Sequence, residues 1–132
     1  MSRRVINLLI GIISLCVGGA TYVMFRPNSY ITKWIGIDVF SNYEFIKAFQ
    51  PISYYLADLL WALSLGCLLV TLFFSKKRGI IFCSFVAFLM GLTWEMLQWM
   101  DIVSGTGDFI DVFMYFLSAL LVVIINIKET LK

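Results

Sequence analysis

The sequence predicts an all-α integral membrane protein: four transmembrane helices in a bundle, with a short interfacial helix in the first outer loop. Three observations lead there. Hydrophobic residues make up 61% of the chain, charged residues only 14%, and the mean hydropathy is +0.95, far from soluble averages. The apolar residues fall into long uncharged runs, each close to the roughly 20 residues that cross a bilayer as a helix. In a chain of 132 residues such runs leave no room for a separate soluble domain. Short alternating strands with regular turns, the signature of an outer-membrane barrel, are missing from the pattern.

The first span is expected at residues 5–25. Met1-Ser2-Arg3-Arg4, an apolar run and Gly18-Gly19-Ala20 together resemble a signal peptide with a small-residue cleavage site. The run continues through Tyr22-Val23-Met24-Phe25, longer than an ordinary signal core, so an uncleaved span is the preferred reading. Ser14 and Gly18 form a small-xxx-small pair with Gly11 and Gly19 nearby, which lets this helix approach a neighbour closely. Packing inside the protein is expected ahead of homodimerisation.

Residues 26–51 form the one long connection and carry Tyr30, Trp34, Phe40, Tyr43, Phe45 and Phe49. Ser41 and Glu44 fit a capping box. Tyr43, Ile46, Lys47 and Gln50 then follow helical spacing, and Pro51 is expected to stop the helix. A short helix on the outer leaflet, acting as an aromatic anchor, is predicted; a lid over a functional site is the alternative. The remaining spans are expected at residues 52–74, 79–100 and 109–127. Asp108, after Ser104-Gly105-Thr106-Gly107, is the natural N-cap of the last helix.

Basic residues set the orientation, because Lys and Arg in short loops stay cytoplasmic. Arg3, Arg4, Lys76, Lys77, Arg78, Lys128 and Lys132 share one side with a single acid, Glu129. The other side holds Arg26, Lys33 and Lys47 against Asp38, Glu44, Asp58, Glu95, Asp101, Asp108 and Asp111. Both termini are therefore expected in the cytoplasm, with the acidic end facing outward.

Asp58, Glu95 and Asp111 are the candidate functional residues. A carboxylate inside a span costs up to roughly 2.5–3.5 kcal/mol at mid-bilayer, so it calls for a reason. Helix rise places Asp58 about 7 Å below the outer end of the second span and Asp111 about 4–5 Å below that of the fourth. Glu95 comes out about 24 Å up a hydrocarbon core of about 30 Å, which puts all three in one layer. Glu95 and Gln98 share a face with Gly91, whose missing side chain leaves room beside the acid. Asp58 shares a face with Trp61, Ala62 and Leu65, while Asp108, Asp111, Tyr115 and Ser118 trace one stripe down the fourth span. Asp111 would also gain from the dipole at a helix N-terminus, but Glu95 lies where its own helix dipole disfavours an anion.

Carboxylates crowded in one low-dielectric layer must be protonated, bridged by a cation or paired with a base, and Arg26 is the nearest candidate base. An oxygen-only set of Glu95, Asp58 and Asp111 would suit a divalent cation such as Mg²⁺ or Ca²⁺, or Mn²⁺. The chain has no His, and Cys16, Cys67 and Cys83 have no ligand spacing, so neither zinc nor a disulfide is expected; the cysteines read as packing residues. Phosphate loops and a histidine triad are unsupported. Membrane lipids are the expected surroundings, and nothing points to nucleic acid.

Three segments then carry a resemblance. Leu56-Ala57-Asp58-Leu59-Leu60-Trp61-Ala62-Leu63-Ser64, Trp94-Glu95-Met96-Leu97-Gln98 and Gly105-Thr106-Gly107-Asp108-Phe109-Ile110-Asp111 resemble, in order, the motifs of the VanZ-like family of small bacterial membrane proteins. The exit of the first helix, Tyr22-Val23-Met24-Phe25-Arg26-Pro27, is similar too. The chain departs from the family pattern in having Tyr115 where an Asn is common and Ala57 where a Pro is common. The family is named for a protein linked to teicoplanin resistance, so the resemblance implies a multi-pass protein of the bacterial plasma membrane with a role at the envelope.

Three functions follow as expectations. Glu95, Asp58 and Asp111, with Gln98, Trp61, Asp108, Arg26 and Tyr115 around them, would bind a cation, a lipid headgroup or a lipid-linked envelope precursor. No nucleophile stands out, so binding is preferred to catalysis; the enzymatic form would be a metal-assisted transferase or hydrolase. The alternatives are a proton- or cation-coupled carrier using the same acids as a relay, and a scaffold or immunity-type subunit pairing with another membrane protein.

Overall fold

The computed structural model describes residues 2–25, 43–73 and 76–127, with side chains from residue 48 onward in the second segment. Four helices make up nearly all of it: α1, Arg3–Phe25; α2, Tyr43–Phe73; α3, Lys77–Trp99; and α4, Phe109–Ile127. No strand occurs among the described residues. All four helices are long and apolar enough to cross a membrane, as a multi-pass membrane protein requires.

Their surfaces fit that setting. Only 17% to 39% of the most apolar window of each helix is buried within the protein. Ile13, Leu72, Phe82, Met90 and Phe109 all point outward. In water an apolar exterior of this extent would drive aggregation, whereas lipid accepts it.

Arg26, expected as a base near the acids, lies outside the described residues, as does most of the expected interfacial segment 26–51, including Ser41 of the capping box. The part that is described differs from expectation. Pro51 does not end a separate helix; α2 runs straight through it from Tyr43. Proline removes the donor that would otherwise meet the Lys47 carbonyl and crowds the preceding turn, a disturbance that membrane helices tolerate, and polar side chains bond one another around it. Ser53 Oγ donates to the Gln50 carbonyl at 2.7 Å, and the Gln50 amide donates to the Tyr54 hydroxyl.

Helix α2 is central, packing against α1, α3 and α4, while α3 also packs on α4. The small residues of α1 serve this packing, as expected. Gly11, Ser14 and Gly18 are buried, and a Cβ on Gly18 would come within 2.7 Å of the Trp61 ring. Trp61 also stacks on Tyr22, with ring centroids 5.2 Å apart. Helices α2, α3 and α4 share a core of Leu63, Cys67, Val70, Ile80, Cys83 and Val122. Cys67 and Cys83 are packing residues there, but Cys16 is exposed: its position on α1 turns away from the face that carries Gly11, Ser14 and Gly18.

Helix α3 starts with Lys77 and Arg78 and has no acid in its first turn or side-chain cap at Lys76. Cations at a helix N-terminus oppose the dipole, so the charges of these residues do not stabilise this helix end. At the other end Asp101, at φ 54°, turns the chain, with Asp101 N donating to the Gln98 carbonyl and Ile102 N to the Leu97 carbonyl, both at 3.0 Å. This is a left-handed helix stop, and it aims the chain back toward α4.

Candidate functional site

Among the described residues Glu95 is the only buried acid, at 2% exposure. Both of its oxygens are engaged by donors. Oε2 accepts from the backbone N–H of Asp108 at 2.9 Å, and Oε1 accepts from the Tyr115 hydroxyl at 3.2 Å. With the Gln98 amide turned to meet complementary partners at both ends, its nitrogen donates to Glu95 Oε2 at 3.3 Å and its oxygen accepts from Trp94 Nε1 at 3.2 Å. An acceptor-only carboxylate surrounded by donors is the arrangement in which a buried acid is tolerated.

The dipole argument changes with this geometry. Glu95 sits near the C-terminal end of α3, which disfavours an anion, but it caps the entry to α4, whose N-terminus favours one. Asp108 is the N-cap that the sequence suggests. Its Oδ1 accepts from Ile110 N at 2.9 Å, while its Oδ2 accepts from the Tyr55 hydroxyl of α2 at 3.2 Å. One hydrogen-bonded set thus joins α2, α3, the turn and α4.

Glycines make the set possible. A Cβ on Gly91 would meet the Tyr115 ring at 2.5 Å, so the room expected beside Glu95 is filled by the tyrosine that bonds it. Gly105, at φ +143°, adopts a backbone that other residues avoid, and a Cβ there would collide with the Gln98 amide. The turn backbone is thereby pressed onto the α3 face that carries Gln98.

Asp58 and Asp111 complete the acidic end. Both are half-buried. Asp58, Glu95 and Asp111 stand on three helices, of which α3 and α4 are joined here by the bond from the Tyr115 hydroxyl to Glu95. The three acids do not form the metal-binding set that their residue types suggest. Among the described residues no three His, Cys, Asp or Glu side chains could hold a metal ion together; the oxygens of Glu95 are already committed to protein donors. Trp61, expected as a binding residue, is used in the contact between α1 and α2.

Comparison with protein-family models, with curated proteins and with solved structures found no match.

Sequence reasoning missed three contributors. Tyr55 shares a helical face with Asp58, three residues on, and that spacing was a usable signal. Trp94 adjoins Glu95 and orients Gln98. Asn7 lies at the opposite end, paired with Asn126. The two side-chain amides exchange hydrogen bonds at 2.7 and 3.0 Å, both residues being at most 3% exposed. An Asn in an apolar span is as conspicuous as Asn126, but its partner lies 119 residues away.

Proposed function

We propose that this is a VanZ-like bacterial envelope protein whose acidic end binds the polar headgroup of a lipid or lipid-linked envelope molecule. In this reading the helices form a four-helix bundle in the plasma membrane, with both termini cytoplasmic and the acidic end in the outer leaflet. Asp58 and Asp111 are the contacting acids, while Glu95, Gln98, Tyr115 and Asp108 hold the frame that positions them.

The observation that carries the proposal is the hydrogen-bonded set in which Glu95 of α3 accepts from Asp108 N and the Tyr115 hydroxyl and Asp108 accepts from Tyr55 of α2, with Asp58 and Asp111 half-buried on the helices so joined. Half-buried carboxylates accept hydrogen bonds from ammonium and hydroxyl groups and repel bare phosphate. The favoured headgroup is therefore one bearing an amine or sugar hydroxyls.

Expression of Asp58→Asn and Asp111→Asn in a glycopeptide-susceptible bacterium tests this, with membrane levels matched to the unmodified chain. Both variants are expected to abolish any change in teicoplanin susceptibility and to lose lipids that copurify with the protein, as read by mass spectrometry. Retention of both effects would sink the proposal. Copurification of one stoichiometric membrane protein, disrupted by the same substitutions, would replace it with the scaffold reading.

A further inference from the structure

Helix α2 carries one apolar stripe that is buried toward the basic end of the protein and bare toward the acidic end. Its contacts set its faces. α1 meets α2 at Leu60, Trp61 and Leu68, opposite Gly18 and Gly11, whereas α4 meets it at Gly66 and Tyr55, through Val122 and Asp108. At about 100° per residue, Ile52, Leu56, Leu63, Cys67 and Val70 all fall on one arc between those two faces. Seen from the acidic end, α3 lies clockwise of α2 about α4, reaching it through Tyr115 and Phe116, and the stripe lies clockwise of α4 about α2. Helix α3 and the stripe are therefore on opposite flanks.

Exposure changes along this stripe. Val70, Cys67 and Leu63 are 4%, 0% and 8% exposed, but Leu56 and Ile52 are 44% and 64% exposed. The facing side of α1 changes in the same way along Ile10, Val17 and Met24, which are seven residues apart and share a face. Ile10 packs against the core, whereas Val17 and Met24 are exposed. Helices α1 and α4 are tied at the basic end by the Asn7 and Asn126 amides and are not packed along their lengths. They leave a wedge-shaped cleft over α2, closed at Leu63 and open at the acidic end, where Asp111 lies in the first turn of α4.

We infer that this cleft seats a single acyl chain of a lipid from the leaflet at the acidic end. Length and shape select that occupant. Leu63 lies about 16 Å along α2 from Ile52, about half of a hydrocarbon core of about 30 Å, so the cleft is one leaflet deep and blind near the bilayer centre. Its walls are apolar and continuous with the lipid-facing exterior. A flexible chain can follow a taper that ends at half depth, whereas a transmembrane helix about 10–12 Å across cannot. The seat is set by the cleft alone and is independent of the proposed headgroup.

Benzoylphenylalanine introduced at Leu56, at Ile52 and, for comparison, at Phe85 on an exposed face of α3 tests this in the full chain, with thermal midpoints matched to the unmodified protein. Ile52, at the mouth, is the position where the bulky probe displaces no seated chain. After extraction from bacterial membranes, extensive washing in detergent and irradiation, lipid adducts are read on the intact chain by mass spectrometry. They are expected to be several-fold more abundant at Ile52 and Leu56 than at Phe85, because a seated chain is retained while surrounding lipid exchanges for detergent. Equal adduct yields at the three positions, or none at Ile52 and Leu56, would overturn the inference. Products joining two copies of the chain at Ile52 or Leu56 would also overturn it, making the cleft an interface between copies.

Discussion

The two ends of this protein solve the same problem with opposite chemistry. At the basic end Asn7 and Asn126 exchange amide hydrogen bonds, and each amide also donates to its own helix, to the Arg3 carbonyl at 3.1 Å and the Val122 carbonyl at 2.8 Å. That pair is neutral, buried and self-complementary, and it ties the first helix to the last. At the acidic end Glu95 is buried and saturated by donors, while Asp58, Asp108 and Asp111 around it remain half-buried. The difference teaches that, among the described residues, one end is tied by a neutral amide pair, whereas the other gathers half-buried acids around one buried acid that donors hold.

The largest test of that contrast is Glu95→Ala. It strips the acceptor from the Asp108 N–H, the Tyr115 hydroxyl and the Gln98 amide at once, for an expected loss of about 3 kcal/mol in detergent unfolding. A loss no greater than that of an exposed substitution would show that the acidic end is not held by Glu95.

Next comes Gly91→Ala, whose new methyl would push the Tyr115 ring off Glu95, at a cost of about 2 kcal/mol for overpacking. Combining it with Tyr115→Ala should recover much of the loss that the Gly91 change causes alone. If it does not, the glycine acts through its own backbone rather than through the tyrosine.

Asn126→Leu should cost about 1 kcal/mol, near the upper range for polar contacts between membrane helices, because it strands the Asn7 amide. The double variant with Asn7→Leu should regain part of that, since replacing both partners by apolar groups leaves nothing unsatisfied. The equivalent rescue should fail at the acidic end, where Glu95 serves backbone as well as side chains. Smallest of all, Tyr115→Phe removes one of the bonds to Glu95 and should shift stability by about 0.6 kcal/mol.

Much of the framework is legible in the amino acids because helical membrane proteins have few options. Hydrophobic length gives the spans, and the observed α1, α3 and α4 start and end within two residues of expectation. The Asp108 cap follows from a short polar side chain after a glycine-rich turn, and its bond to Ile110 is local. Pro51 misleads because proline's cost to a helix depends on whether nearby groups can reoccupy the disturbed bonds. Here α2 continues through Pro51, from Tyr43 to Phe73.

The sequence by itself determined that the chain is helical and lipid-compatible, with Asp58, Glu95 and Asp111 each near one end of its span, since composition and a helical rise of about 1.5 Å per residue are enough for that. Only the tertiary structure decided what each polar residue does. Burial and donor geometry turned Glu95 from the foremost ligand candidate into a clasp, moved Trp61 into a helix contact and paired Asn7 with Asn126. Those roles depend on which helix lies alongside, and hydrogen bonds between helices leave no periodic trace in the chain.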